Sequence, residues 1–180
     1  MRLPFETSIA TVCLSGSLPE KLIAISQAGF DQIELWENDL LQFPGSPADV
    51  RQMCRKLGLR ISVYQPFRDL EGLLDPGIRK KALDRLEQKL QVMQELGTDC
   101  LLLCSNVGEC SGDLEVIVKD LRVAAETARK YNVRIAYEAL GWGTGELIIG
   151  LLIGRNSCQP MGNIMENRRE SQSFSFRPLP

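Results

Sequence analysis

Side chains that could carry chemistry stand at the ends of several short apolar runs in this sequence. The candidates are Glu34, Tyr64, Arg68, Ser105, Asn106, Glu138 and Trp142. Glu138 ends the run 133–138, and a carboxylate in such a place could bind a hard divalent cation. It could equally meet solvent or pair with Arg134. Glu34 holds the matching place in the run 32–36, where a catalytic group and a structural ion pair are both consistent with the pattern.

Arg68 lies just past another strand-like run and could bind a substrate carboxylate with two of its nitrogens. A surface ion pair with the adjacent Asp69 is the alternative interpretation. Within the preceding run, Ser62 and Tyr64 are two residues apart at the polar positions of the alternating pattern. This predicts that both face the same side of the sheet as the other candidates.

The remaining candidates offer neutral polar or aromatic groups. Ser105 and Asn106 follow the run 99–104 and could hydrogen-bond a polyhydroxylated substrate, or cap the next turn. Trp142 could form the wall of a substrate pocket, although an isolated tryptophan is more often part of the packing.

The chain contains no histidine among its 180 residues. This excludes Ser-His-Asp triads, histidine general bases and histidine-ligated zinc. Any proton transfer must therefore use Asp, Glu, Lys, Tyr, Cys or a metal-bound water. The 21 Lys and Arg residues against 23 Asp and Glu residues leave a formal net charge of −2, which does not favour nucleic-acid binding.

Neither a membrane span nor an export signal is indicated by the sequence. The longest apolar run, 147–153, is far shorter than the ~20 residues that cross a bilayer. We therefore expect a cytoplasmic protein with six reduced cysteines. Cys100, Cys104 and Cys110 are close in sequence, but their spacing is not typical of a zinc site, so buried thiols are the favoured interpretation.

A helix–turn–strand unit recurs along the first 140 residues. Gly29, Gly58 and Gly97 each separate a helical pattern from an apolar run, and Asn132 takes this place in the fourth copy. Both residue types accept the left-handed conformation that ends a helix. The intervals of 29, 39 and 35 residues match a strand plus a crossover helix. The predicted strands are 7–12, 32–36, 59–65, 99–104 and 133–138.

Alternating strands and helices predict a parallel sheet, either doubly wound or part of a (β/α)8 barrel. A dinucleotide-binding sheet should carry G-x-G-x-x-G after its first strand, and residues 13–17 lack this motif. The candidate polar residues instead follow successive strands, which is where barrel enzymes hold their active sites. The prediction is a partial (β/α)8 barrel of about four βα units and a fifth strand.

Six segments together resemble the amino-terminal part of 3-dehydroshikimate dehydratases, in the xylose-isomerase-like barrel superfamily. These segments are IATVCLSG at 9–16, ENDLL at 37–41, QPFRD at 65–69, MQELGTD at 93–99, CSNV at 104–107 and YEALGWG at 137–143. Each is short, but they occur in order from about residue 6 to residue 143 without a large gap.

The resemblance implies conversion of 3-dehydroshikimate to protocatechuate and water, aided by a divalent metal such as Mg, Mn or Co. Glu138 matches the first metal-binding glutamate of the family. Arg68 matches a position that faces the substrate, and Glu34 an inward acidic position with a catalytic role. The expected partner is therefore a small molecule, with no nucleic acid and no membrane.

The similarity stops after residue 143, where the family continues to a sixth strand that bears an Asp and a His. We expect residues 1–143 to be the amino-terminal part of the barrel and residues 144–180 to be a divergent, poorly ordered tail. A frameshift, a retained intron or an alternative transcript would produce such a tail. The expected consequences are weak or absent dehydratase activity, no tight metal binding, and self-association through the open edges of the sheet.

Two other functions are consistent with the same residues. One is a sugar isomerase or epimerase of the same superfamily, against which the segment QPFRD argues. The other is a non-catalytic truncated protein that associates with a partner or with a full-length copy.

Overall fold

A computed structural model describes residues 4–108 and 110–140 of the chain. Five parallel strands form one sheet in the order β1-β2-β3-β4-β5. They are β1 (Ser8–Ala10), β2 (Gln32–Trp36), β3 (Arg60–Phe67), β4 (Cys100–Cys104) and β5 (Arg134–Glu138). The helices are α1 (Leu18–Gln27), α2 (Glu37–Gln42), α3 (Pro47–Lys56), α4 (Pro76–Leu96) and α5 (Leu114–Lys130), and a single 3-10 turn (Thr11–Cys13) follows β1.

Adjacent strands in chain order, all parallel and joined by helices, make up part of a (β/α)8 barrel. The predicted α/β partial barrel, with four βα units and a fifth strand, is confirmed. The predicted domain boundary at residue 143 and the predicted tail 144–180 lie outside the described residues. In the part of the chain that the structure describes, no helix has the length and apolar character needed to span a membrane.

Local signals define where the helices begin and end. Ser17 and Ser46 precede α1 and α3, and each forms a capping box with the acidic residue three positions later, Glu20 or Asp49. The predicted left-handed residues are confirmed at the opposite ends, and the non-glycine among them, Asn132, has a φ of 56°. Asparagine tolerates this conformation better than most residues because its short side chain can hydrogen-bond locally.

Alternation along the strands separates the core from the inner face of the barrel. Ile33 and Leu35 of β2, and Leu101 and Leu103 of β4, are fully buried against the helices. Helices α1, α3 and α4 contribute six fully buried side chains to this core: Leu22, Ile25, Val50, Leu86, Leu90 and Met93. The residues between the buried ones, Glu34 among them, therefore face the inside of the barrel, as the sequence predicts.

A bulge in β3 changes the face of the sheet on which Tyr64 lies. Ile33 pairs with Ile61 and Glu34 pairs with Val63, so Ser62 is the extra residue on β3. Beyond this bulge Tyr64 pairs with Leu35 and lies on the helix side, only 2% exposed. The prediction that Tyr64 shares a face with Ser62 and the other candidate residues is therefore wrong, because one inserted residue moves every later side chain to the opposite face.

Candidate functional site

The carboxyl ends of β3, β4 and β5 bring three of the polar side chains together. The Cys104 thiol at the end of β4 donates to Oε2 of Glu138 at the end of β5, with 3.3 Å between the atoms. The Arg68 guanidinium, just past β3, also reaches this thiol and lowers its pKa. Arg68 and Glu138 are both solvent-exposed, so a small molecule at this edge of the sheet could contact them together.

The environment of Cys104 keeps its sulfur protonated. Burial raises the pKa of this thiol to about 11, and the hydrogen bond to Glu138 and the charge of that carboxylate add to the increase, with Arg68 opposing them. At neutral pH the thiol is therefore a hydrogen-bond donor that orients Glu138. The position of Cys104 between two candidate residues could not be predicted, because the alternation of side chains along a strand does not show which residues of other strands lie next to it.

Glu34 lies on the inner face of the barrel, half-buried, and is held by a neighbour on β3. Nε2 of Gln65 donates to Oε2 of Glu34 at 3.0 Å. The negative charge of Glu34 also contributes, after burial and together with Asp99, to a raised pKa of the Cys100 thiol on β4, which Arg134 opposes. Glu34 thus faces the same interior as β4. Gln65 belongs to the QPFRD segment and is a site residue that the pattern of charges did not single out.

Ser105 and Asn106 are buried, and their described hydrogen bonds hold the loops in place. Oγ of Ser105 accepts from the Leu140 amide at 2.8 Å. Oδ1 of Asn106 accepts from the Gly108 amide at 2.8 Å, and its Nδ2 donates to the carbonyl of Glu71 at 3.2 Å. These contacts match the turn-capping alternative, and substrate contact by either residue stays a prediction. Trp142 lies outside the described residues.

Glu71 connects three strand ends and was not anticipated. Its Oε1 accepts from the Asn106 amide at 2.5 Å and from the Tyr137 hydroxyl at 3.1 Å. The side chain is buried, and its charge adds to the burial that raises the pKa of Tyr137. A buried carboxylate needs such donors to offset its lost hydration. Only the tertiary structure reveals this role, because the donors are far away in sequence.

Next to Arg68 the described residues offer one carboxylate to a metal, that of Glu138, together with the neutral Cys104 thiol. Within residues 4–108 and 110–140, no group of three or more His, Cys, Asp or Glu side chains could hold a metal ion. Glu138 has the oxygen chemistry that a hard divalent ion prefers. By themselves, however, these residues do not fit a complete metal site.

The comparisons with known proteins agree with this architecture. A model of the xylose isomerase-like TIM barrel family matches residues 22–150. The chain belongs to this family. The resemblance to 3-dehydroshikimate dehydratases is confirmed by a protein of that name from Pseudomonas putida, which is 56% identical over 139 residues. The aligned part is 77% of this chain and 22% of that protein, so the chain spans about a fifth of the relative's length.

Two solved structures share the fold. A xylose isomerase-like TIM barrel/4-hydroxyphenylpyruvate dioxygenase fusion protein is 55% identical, with a TM-score of 0.76 over 78% of this chain and 23% of that one. The IOLI protein, solved with a bound zinc atom, is 18% identical, with a TM-score of 0.67 over 76% of this chain and 52% of that one. At that identity the second likeness shows the fold alone.

Proposed function

We propose that this chain is the amino-terminal part of a 3-dehydroshikimate dehydratase barrel, which converts 3-dehydroshikimate to protocatechuate and water. The observation that carries the proposal is that Arg68 and Glu138 both lie next to the Cys104 thiol at the carboxyl edge of the sheet. The name of the 56% identical relative from Pseudomonas putida supports the same substrate. A sugar isomerase or epimerase of the same family is the alternative, and its substrates carry no carboxylate for Arg68.

The reaction removes one proton from the carbon next to the substrate ketone and hydroxide from the β-carbon. The two leave as water, and enolisation of the ketone completes the aromatic ring. In the proposed site Arg68 binds the substrate carboxylate, for which a guanidinium can supply two parallel hydrogen bonds. Glu34 takes part in proton transfer, and the amide of Gln65 orients its carboxylate.

Glu138 is proposed as one ligand of a divalent metal whose other ligands lie outside the described residues. Such an ion, when bound, would polarise the ketone and stabilise negative charge on its oxygen. Cys104 orients the Glu138 carboxylate through its hydrogen bond. Because the described residues hold no group of three or more possible metal ligands, we propose that the 180-residue chain by itself binds metal weakly and turns over slowly or not at all.

The proposed ligand is thus a small molecule rather than a nucleic acid. A second copy is proposed as a protein partner, because β1 and β5 each have a strand neighbour on one side within the described part of the chain. An unpaired strand edge can pair with another chain. Sedimentation at increasing protein concentration would test this association, and a monomer at all concentrations would contradict it.

Calorimetric titration with 3-dehydroshikimate tests the proposed substrate site without requiring turnover. We expect Arg68→Gln to weaken binding about 10- to 100-fold, since a hydrogen bond to a charged group contributes ~1.5–3 kcal/mol. Arg122→Gln, on an exposed part of α5, is the matched control and should bind as the parent chain does. Equal binding by the Arg68 variant and the parent, or preferential binding of a neutral ketose, would contradict the dehydratase proposal.

A further inference from the structure

Two cations of α4 hold the backbone of the segment that carries Arg68. The guanidinium of Arg85 donates from Nη2 to the carbonyl of Arg68, and from the same nitrogen to the carbonyl of Asp69 at 3.2 Å. Nζ of Lys89 donates to the carbonyl of Pro66 at 2.8 Å. Three carbonyls within four residues are therefore bound from the same helix.

The geometry of α4 explains why these two side chains act at one place. Arg85 and Lys89 are four residues apart, so they lie on the same face of the helix. Both also contact the ring of Phe67, with 4.9 Å from the Arg85 guanidinium carbon and 5.3 Å from Nζ of Lys89 to the ring centroid. Phe67 itself is buried in the core. The attraction of both cations to this ring holds them next to the carbonyls that they bind.

The two cations differ in what else they support. The Lys89 side chain is 6% exposed, and its Nζ also pairs with Oε1 of Glu37 at 2.6 Å. Replacement of Lys89 would leave the Glu37 carboxylate without its cation between the sheet and α4, and this would perturb the whole fold. Arg85 is exposed, and its two hydrogen bonds go to the carbonyls of Arg68 and Asp69. Arg85 is therefore the residue whose effect on Arg68 can be separated from its effect on folding.

The segment needs this support because of its backbone conformation. Asp69 has a φ of 58°, in the left-handed region, which aspartate enters more readily than most residues but less often than the extended or right-handed regions. Such a conformation persists where surrounding contacts hold it. Arg68 itself is exposed and long, so its direction depends on how firmly its own backbone is held. The bonds from Arg85 to the carbonyls of Arg68 and Asp69 hold the backbone at these two residues.

We propose that Arg85 is a positioning residue, which fixes the backbone of Arg68 and Asp69 so that the Arg68 guanidinium stays beside Cys104 and Glu138 to receive a substrate carboxylate. The inference rests on the proposed function, because it assumes that Arg68 binds the substrate. A held guanidinium loses less conformational freedom on binding than a mobile one. Removal of Arg85 should therefore weaken binding although Arg85 touches no substrate.

The test measures affinity and backbone order separately on the full 180-residue chain. The variants are Arg85→Gln, Arg85→Lys, Arg68→Gln and the control Arg122→Gln, each titrated with 3-dehydroshikimate. We expect Arg85→Gln to raise the dissociation constant about three- to tenfold. Arg85→Lys keeps a cation that can donate to one carbonyl, and it should recover part of this loss. Nitrogen-15 relaxation should show increased motion of the Arg68 and Asp69 amides in Arg85→Gln.

The outcomes separate the positioning role from a merely structural one and from the proposed function. A structural role would lower the unfolding midpoint of Arg85→Gln and leave the affinity of the folded protein unchanged, which would overturn the inference. Wild-type amide order in Arg85→Gln would overturn it as well. If Arg68→Gln binds as tightly as the parent, or the parent does not bind, the proposed role of Arg68 fails and the inference falls with it. Weakened binding by both the Arg68→Gln and the Arg85→Gln variants, with the control unchanged, would support both.

Discussion

The buried ion pair between Lys21 of α1 and Asp39 of α2 allows a sharp test of the fold. Nζ of Lys21 lies 2.7 and 2.9 Å from the two carboxylate oxygens of Asp39, and the two side chains are 4% and 6% exposed. Asp39→Asn would leave the lysine charge buried without its partner. Breaking a buried pair in this way costs ~3–5 kcal/mol. With an m-value of ~2 kcal/mol/M in urea, the unfolding midpoint should fall by ~1.5–2.5 M.

An exposed pair in the same chain supplies the matched control. Lys80 and Asp84 are separated by 2.8 Å, nearly the same distance, but their side chains are 76% and 54% exposed. Asp84→Asn should shift the midpoint far less, because water already solvates both charges. Unfolding is best followed by far-UV circular dichroism, because Nζ of Lys21 is 5.8 Å from the centroid of the Trp36 ring and a change at this ion pair would alter the tryptophan fluorescence directly.

A double variant keeps this prediction testable if Asp39→Asn does not fold. Lys21→Met combined with Asp39→Leu removes both charges and refills the space, so it should fold with a midpoint close to that of the parent. Two results would refute the reasoning. One is an equal midpoint shift in Asp39→Asn and Asp84→Asn, and the other is a double variant as unstable as the single one.

Three further predictions follow from other contacts. Glu71→Gln should lower the unfolding free energy by ~1–3 kcal/mol in urea titrations, because the buried Asn106 amide loses a charged acceptor; an unchanged midpoint would contradict this. Gly97→Ala should lower the melting temperature more than Gly29→Ala. Both glycines have a positive φ, but of the two only Gly97 has a side chain close by, since a new Cβ there would lie 2.5 Å from Nε of Arg51. Equal shifts of the two melting temperatures would contradict this prediction. At pH 8 iodoacetamide should label exposed Cys13 first, and labelling of Cys104 should rise about tenfold per pH unit toward its pKa of about 11 as the reactive thiolate forms; mass spectrometry that finds equal labelling at pH 8 would contradict it.

Much of the fold follows from short-range signals. The capping boxes at Ser17 and Ser46, and the left-handed residues such as Gly97, define helix ends through contacts within a few residues. Each end of a predicted strand lies within two residues of the observed end. The inward placement of Glu34 was also predictable, because strict alternation holds along β2.

The site was less predictable, and β3 shows why. One inserted residue at Ser62 moves Tyr64 from the inner face to the helix side, and no local preference marks that insertion. Ser105 and Asn106 follow a strand as predicted, but their described side-chain contacts stabilise the loops. Strand parity predicts a face only as long as the register is continuous.

The sequence by itself determined the repeating βα unit, the parallel barrel architecture and the ordered segments that resemble the dehydratase family. These depend on periodicity and on the backbone preferences of single residues, which are local properties. Only the tertiary structure decided that Arg68 and Glu138 both lie next to the Cys104 thiol, and that Arg85 of α4 binds the carbonyls of Arg68 and Asp69. Such contacts join residues 16 to 36 positions apart in the chain, and the way in which the strands and helices pack together decides which residues meet.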